Sequence, residues 1–98
     1  MDARALEVGL RLSNVHSLKA KRSVVRHVIT DLHKAFPHIG IAEVDHQDQW
    51  QRATLGLALV AQRAGMLDRV TQEITRFLDR RPDVELLSIA AAYLDPEA

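Results

Sequence analysis

The chain opens with an alternation. Leu6, Val8, Leu10 and Leu12 are interleaved with Glu7, Gly9 and Arg11. Successive side chains on a strand point to opposite faces, so a period of two predicts a strand over "ALEVGLRLS", residues 5–13, with one face buried. "NVHS" breaks the pattern, and Ser17 stands where a helix N-cap is favoured. From Leu18 the period changes. Leu18, Val25, Val28, Ile29, Leu32 and Phe36 share one stripe at helical spacing, which predicts an amphipathic helix from Leu18 to Phe36. Pro37 ends it, because proline carries no amide hydrogen and disfavours a helical residue before it.

The second half follows with different spacing. "IGIAEV", from Ile39, predicts a strand, and "ATLGLALVA" predicts another, with Leu55, Leu57 and Leu59 on one face and Thr54, Gly56, Ala58 and Val60 on the other. A second helix is expected from Gly65 to Arg81, with Met66, Val70, Ile74, Phe77 and Leu78 as its apolar stripe and Pro82 as its stop. "VELLSIAAAYL" predicts the last strand, and residues 94–98 carry no folding signal and are expected to form a flexible tail. No linker or low-complexity stretch divides residues 1–98, so a single domain is expected. The order β-α-β-β-α-β implies an α+β, ferredoxin-like fold, a four-stranded antiparallel sheet with both helices on one face.

Composition narrows the function more than the fold. At 98 residues and 47% hydrophobic, the chain can build one core without a disulfide or metal staple. It has no cysteine, which excludes thiolate catalysis and cysteine-ligated zinc. A formal net charge of +0 leaves no global field toward nucleic acid or membrane, so any such attraction comes from a local patch. The N-terminus lacks the basic-then-apolar pattern of a signal peptide, and no apolar run reaches membrane-spanning length; the expected location is the cytoplasm.

The expected topology brings distant segments together. The first two strands run parallel through a helical crossover, and the third returns antiparallel between them. The start of the first helix, "SLKAKR", and the tip "EVDHQDQWQR" therefore share one end of the sheet, with Arg80 and Arg81 near them. On the first helix, Lys19, Arg22 and Arg26 fall on the exposed or flanking side, whereas Lys21 falls among the apolar positions. A lysine there must snorkel past the sheet edge or meet an acid, and the acids at that end are Glu43, Asp45 and Asp48.

These residues resemble the DUF503 or YlxP-like family of small uncharacterised bacterial proteins. The resemblance rests on Ser17-Leu18-Lys19-Ala20-Lys21-Arg22, on Glu43-Val44-Asp45, and on Asp48-Gln49-Trp50-Gln51-Arg52-Ala53, and it runs from the first strand through the last. Ala20 departs from relatives that carry Glu or Gln there, so the capping box that Ser17 would start is incomplete. The resemblance implies a ferredoxin-like fold and an unassigned function. It also implies a link to RNA or the ribosome, since the family's gene is often found among genes of translation initiation and ribosome maturation.

Several readings of the polar residues stand side by side. Glu43, Asp45, His46 and Asp48 offer metal-type ligands, but Glu43 and Asp45 share a strand face from which His46 points away, and no zinc-type spacing is present. The plainer reading is an acidic cluster of Glu43, Asp45 and Asp48 paired with Lys21, Arg22 or Arg52. No catalytic motif, cofactor motif or phosphate loop is present, so no enzyme activity, metal or cofactor is expected. Lys19, Lys21, Arg22 and Arg26 sit at a helix N-terminus, where the dipole already favours anions. With Trp50 and Arg52 they form the expected binding set for RNA phosphates or ribosomal particles. Base stacking on sheet aromatics is not expected, because the strands carry only Tyr93. The alternative is a homodimeric interaction or small-ligand-sensing module that uses the open sheet face, where Gly56, Ala58, Val60 and the alanines of "AAA" gather.

Overall fold

A computed structural model describes residues 1–46 and 49–92. Its elements are β1 (Asp2–Leu12), α1 (Leu18–Ala35), β2 (Gly40–Asp45), β3 (Arg52–Ala61), α2 (Ala64–Asp79) and β4 (Val84–Ala92). The sheet order is β2-β3-β1-β4, and every neighbouring pair is antiparallel. This is the expected ferredoxin-like arrangement, with β3 between the parallel strands β1 and β2. Asp48, Tyr93 and the expected tail lie outside the described residues.

Alternation along the central strands decides where the core forms. Leu6, Val8 and Leu10 of β1 pair with Leu57, Leu55 and Ala53 of β3, Leu12 pairs with Val84 of β4, and all are buried. Val25, Val28 and Leu32 of α1 and Leu67, Ile74 and Leu78 of α2 close over that one face. Each such aliphatic side chain contributes about 1.5–3 kcal/mol of transfer free energy on burial, the dominant favourable term here. A T-shaped contact between Phe36 and Phe77, with ring centroids 6.0 Å apart, bridges the ends of the two helices.

Two details differ from the sequence reading. Strand β1 starts at Asp2 rather than Ala5, because its extra residues continue the ladder to Ala61 of β3. Met66 is half exposed, and Leu67 is the buried residue of that turn. The cause is helical phase: Leu67 lies within about 20° of both Ile74 and Leu78, whereas Met66 lies about 80° and 120° away from them.

Strand β2 breaks its ladder with β3 between Glu43 and Asp45, leaving Val44 as the extra residue of a bulge. Val44 then lies across Gly56, where an added Cβ would come within 2.9 Å of Val44 Cγ1. Glu43 faces the helix side by ordinary alternation, opposite Leu55, and the bulge turns Asp45 to the outer side opposite Thr54, so the two acids do not share the strand face expected from the sequence. At the same end, the Leu12 amide donates to the Gln51 carbonyl at 2.9 Å, and the Ser13 amide donates to the Asp83 carbonyl at 3.2 Å. The end of β1, the start of α1, the β2–β3 connection and the start of β4 thus converge.

Candidate functional site

Helix α1 starts on Ser17, whose backbone is extended (φ −156°) and whose Oγ accepts from the Ala20 amide at 3.1 Å. That bond satisfies one of the free amides of the first turn. The first turn contains no acidic residue. It presents Lys19 and Arg22 to solvent, and Arg26 follows one turn on. Among the described residues none of these three forms an ion pair.

Lys21 behaves differently. It sits in line with Val25, Val28 and Leu32 on the buried stripe and is 2% exposed. An ammonium at that depth needs compensation. Its Nζ lies 3.0 Å from Glu43 Oε2 and donates to the His46 carbonyl. The Glu43 contact is a close ion pair but is off-axis for a hydrogen bond, and Oε2 has no other partner among the described residues.

The His46 carbonyl is a junction. It also accepts from the Gln49 amide at 3.1 Å, which starts the reversal toward β3. His46 has a left-handed backbone (φ 62°), a conformation uncommon for a residue with a side chain. Two further contacts hold it there: its amide donates to Asp45 Oδ1 at 2.8 Å, and its Nδ1 lies 2.7 Å from Thr54 Oγ1. Lys21 therefore fastens the tip of one hairpin to the first turn of α1.

The expected binding residues divide three ways. Lys19, Arg22 and Arg26 form an exposed stripe on α1, and Trp50 is half exposed on the tip at the same end of the sheet. Lys21 is withdrawn from the surface, so it acts on the site by holding the tip rather than by touching a ligand. Arg52 pairs in register with Arg11 on the sheet face away from the helices, and its Nε is buried without an acceptor among the described residues. Of the acids, Glu43 faces inward and Asp45 is mostly in solvent. Among the described residues no three His, Cys, Asp or Glu side chains converge as a metal would require.

Arg81 carries a connection that the sequence pattern did not disclose. It is mostly buried and donates from Nε and Nη2 to the two oxygens of Asp83, at 3.0 and 2.8 Å. Its Nη1 also donates to Asp31 Oδ2 on α1, at 2.6 Å. These hydrogen bonds hold both carboxyls below their ordinary value of 3.8 and raise the guanidinium further. Arg81 is thus neutralised in place, whereas Arg80 is exposed. The proximity of Arg81 and Asp83 around Pro82 was a readable signal, but contact with Asp31, fifty residues away, was not.

Comparisons with known proteins agree with this architecture. The family model described as "Protein of unknown function (DUF503)" matches residues 4–91. The chain is 33% identical over 69 residues to the Uncharacterized protein YlxP of Bacillus subtilis (strain 168), an alignment spanning 70% of this chain and 74% of that protein. A de novo designed protein with a ferredoxin fold, solved by NMR in solution, superposes with a TM-score of 0.50 at 13% identity, covering all of this chain and 91% of the other. That identity speaks to fold alone. No helix among the described residues is long and apolar enough to cross a membrane. By the extent of the family match, and by its identity with the Bacillus relative, this chain belongs to the DUF503 family.

Proposed function

We propose that the protein is a non-enzymatic binding module that docks on RNA phosphates of ribosomal particles through the first turns of α1, with Trp50 at the same end of the sheet. One observation carries this reading: Lys19, Arg22 and Arg26 stand exposed and without ion-pair partners among the described residues, on a helix start that holds no acid. The positive end of the helix dipole repels cations, at about 0.3–1 kcal/mol each near the first turn. A row of cations there opposes the stability of the helix and is offset when an anion arrives. Phosphate is the anion that suits several such donors spaced along one helix edge. Trp50, half exposed at that end, supplies an apolar ring on which a base or sugar rests. The sheet plays no part in stacking in this reading.

Co-sedimentation with ribosomal particles from native lysate, with and without ribonuclease, tests the proposal. The change Lys19→Glu with Arg22→Glu abolishes association while the chain stays folded, with melting unchanged or raised, since both side chains are exposed and a helix start favours acids. With three phosphate contacts, log affinity falls against log salt with a slope of about −2 to −3. A folded double variant that sediments like the wild type, or an association indifferent to salt, overturns it.

A further inference from the structure

The face of the sheet opposite the helices is left uncovered, and its residues fall into rows that the strand register defines. One row is Gly40, Ala58, Ala5 and Ala92; the next is Ala42, Gly56, Glu7 and Ala90. Then come Asp45, Thr54, Gly9 and Ser88, and after them Arg52, Arg11 and Glu85. The first three rows are small or apolar with two exceptions, Glu7 and, at the β2 edge, Asp45, which is mostly in solvent and accepts from the His46 amide. Glu7, exposed at the centre, has no ion-pair partner among the described residues. The last row has the opposite imbalance. Arg11 and Arg52 stand side by side across β1 and β3, and the acid recorded beside them is Glu85, 3.3 Å from Arg11.

We propose that this face receives a second copy of the chain, stacked face to face about a two-fold axis that crosses the strands at Gly9 and sets Glu7 of each copy against Arg11 of the other. A two-fold interface must be self-complementary: if one position meets another, the second meets the first. Glu7 and Arg11 lie two residues to either side of Gly9 on the same strand and the same face. Rotation about an axis through Gly9 and across the strands exchanges their places and keeps each strand over its own counterpart. The unpaired acid then lies over the crowded arginines, with Arg52 diagonal to it, and the opposite contact forms by symmetry. The row on the axis carries Thr54, Gly9 and Ser88 at its centre, so nothing large stops the two sheets from approaching there. Asp45 ends the row at the solvent-exposed β2 edge, where it meets its own copy as a hydrated rim charge that couples weakly. Moving the axis one row to Glu7 would stack Glu7 on the other Glu7, and a one-row slip of one sheet over the other would stack it on Gly9, so either leaves the charges unmatched.

The area sets the strength. Four strands about 4.8 Å apart, overlapping over about 26 Å, cover about 500 Å² per copy, or about 1,000 Å² in total. That is the lower limit for a specific interface, so the dimer forms at micromolar concentration and depends on its charge contacts.

Sedimentation velocity on the full chain, from roughly 1 to 100 µM, tests this. The wild type shifts from monomer to dimer across that range. Glu7→Arg and Arg11→Glu each weaken self-association by about tenfold or more, because each sets like charges together twice. An equimolar mixture of the two variants restores dimers, since both cross-contacts in the mixed pair are complementary. Glu7→Gln, which keeps shape and removes charge, gives a smaller loss in the same direction and decides the matter if a charge reversal also lowers the melting temperature. A wild type that stays monomeric, a dimer indifferent to Glu7→Gln and Glu7→Arg, or a mixture of folded variants that fails to associate overturns the proposal.

Discussion

Removing the acid that faces Lys21 costs more stability than removing Lys21 itself. The pair is unequal. Lys21 is 2% exposed, whereas the side chain of Glu43 is 21% exposed. At 3.0 Å their gross attraction is about 5 kcal/mol at an effective dielectric of about 20. Desolvation of the two ions, several kcal/mol for each, offsets most of that, so the intact pair is close to neutral relative to apolar residues of the same shape. Loss of one partner is a different matter. Glu43→Gln leaves a buried ammonium with the His46 carbonyl as its remaining recorded acceptor. The usual cost of stranding a buried charge is about 3–5 kcal/mol; partial access of water beside Glu43 lowers this to about 2–4 kcal/mol. Lys21→Met keeps the apolar stem and deletes the charge. Glu43 then rehydrates, and the His46 carbonyl retains the Gln49 amide, so the change is about 0–1.5 kcal/mol in either direction.

The sharper expectation is non-additivity. In the Glu43→Gln background, Lys21→Met removes the stranded charge and raises stability by about 2 kcal/mol. Urea unfolding of the two single variants, the double variant and the wild type measures this. With a slope near 1 kcal/mol per molar for a domain of this size, the recovery is about 2 M in midpoint. Additive losses, or a Lys21→Met change as costly as Glu43→Gln, refute the claim that this lysine is a buried anchor.

Other expectations rest on single contacts. Ser17→Ala loses the cap on α1 and costs about 1 kcal/mol by denaturant unfolding, with no first-turn acid to compensate. Arg81→Met removes the cause of the low pKa of Asp31 and Asp83, which lie below the ordinary 3.8 in the folded chain. Depressed carboxyls stabilise the fold above about pH 4 and lose that contribution as pH falls through their lower folded values, so the wild type and Arg81→Met melting curves differ most above about pH 4 and converge toward about pH 2. A gap that is constant with pH contradicts the assignment.

The fold was legible because each level of the sequence agreed with the next. The period-two run in Leu6 to Leu12 and the helical stripe of Val25, Val28 and Leu32 admit one layer arrangement, and Pro37 and Pro82 mark the ends. Met66 was misplaced because periodicity near a helix start has too few turns to fix its phase; Ile74 and Leu78 fix it only once the buried face is known. The inward position of Lys21 was readable from its phase, and the acid that meets it is Glu43. What the sequence could not supply was the sidedness of the tip. Arg52 and Trp50 are two residues apart, yet Arg52 joins Arg11 on the open face. Arg52 simply follows the alternation of β3, in phase with Thr54 and Gly56; what no alternation pattern announces is the one-residue slip of the β2 ladder at Val44, which puts Asp45 on the outer face while Glu43 faces the helices.

Helical phase and strand alternation, with the slip at Asp45, send the polar residues of this end to two surfaces. "SLKAKR" sends Leu18 and Lys21 inward and Lys19 and Arg22 outward, as helical phase requires. Lys21 then holds Glu43 and the His46 carbonyl on the helix side, while Thr54 holds the His46 ring from the opposite face of β3. The tip is clamped between helix and sheet, and its left-handed residue is kept in a conformation it would otherwise leave. Trp50 stands half exposed at that end. The cationic stripe of α1 and the open face of the sheet are therefore separate surfaces of one frame. Loss of Lys21 loosens the tip that the first surface shares, whereas Glu7 and Arg11, on the central strand, keep their places. Hydrogen exchange of Lys21→Met makes the distinction measurable: the Gln49 amide loses protection because its acceptor is no longer held, and the β1–β3 amides flanking Glu7 do not. Uniform loss of protection across β1 and β3 would mean that Lys21 supports the whole core instead of the tip.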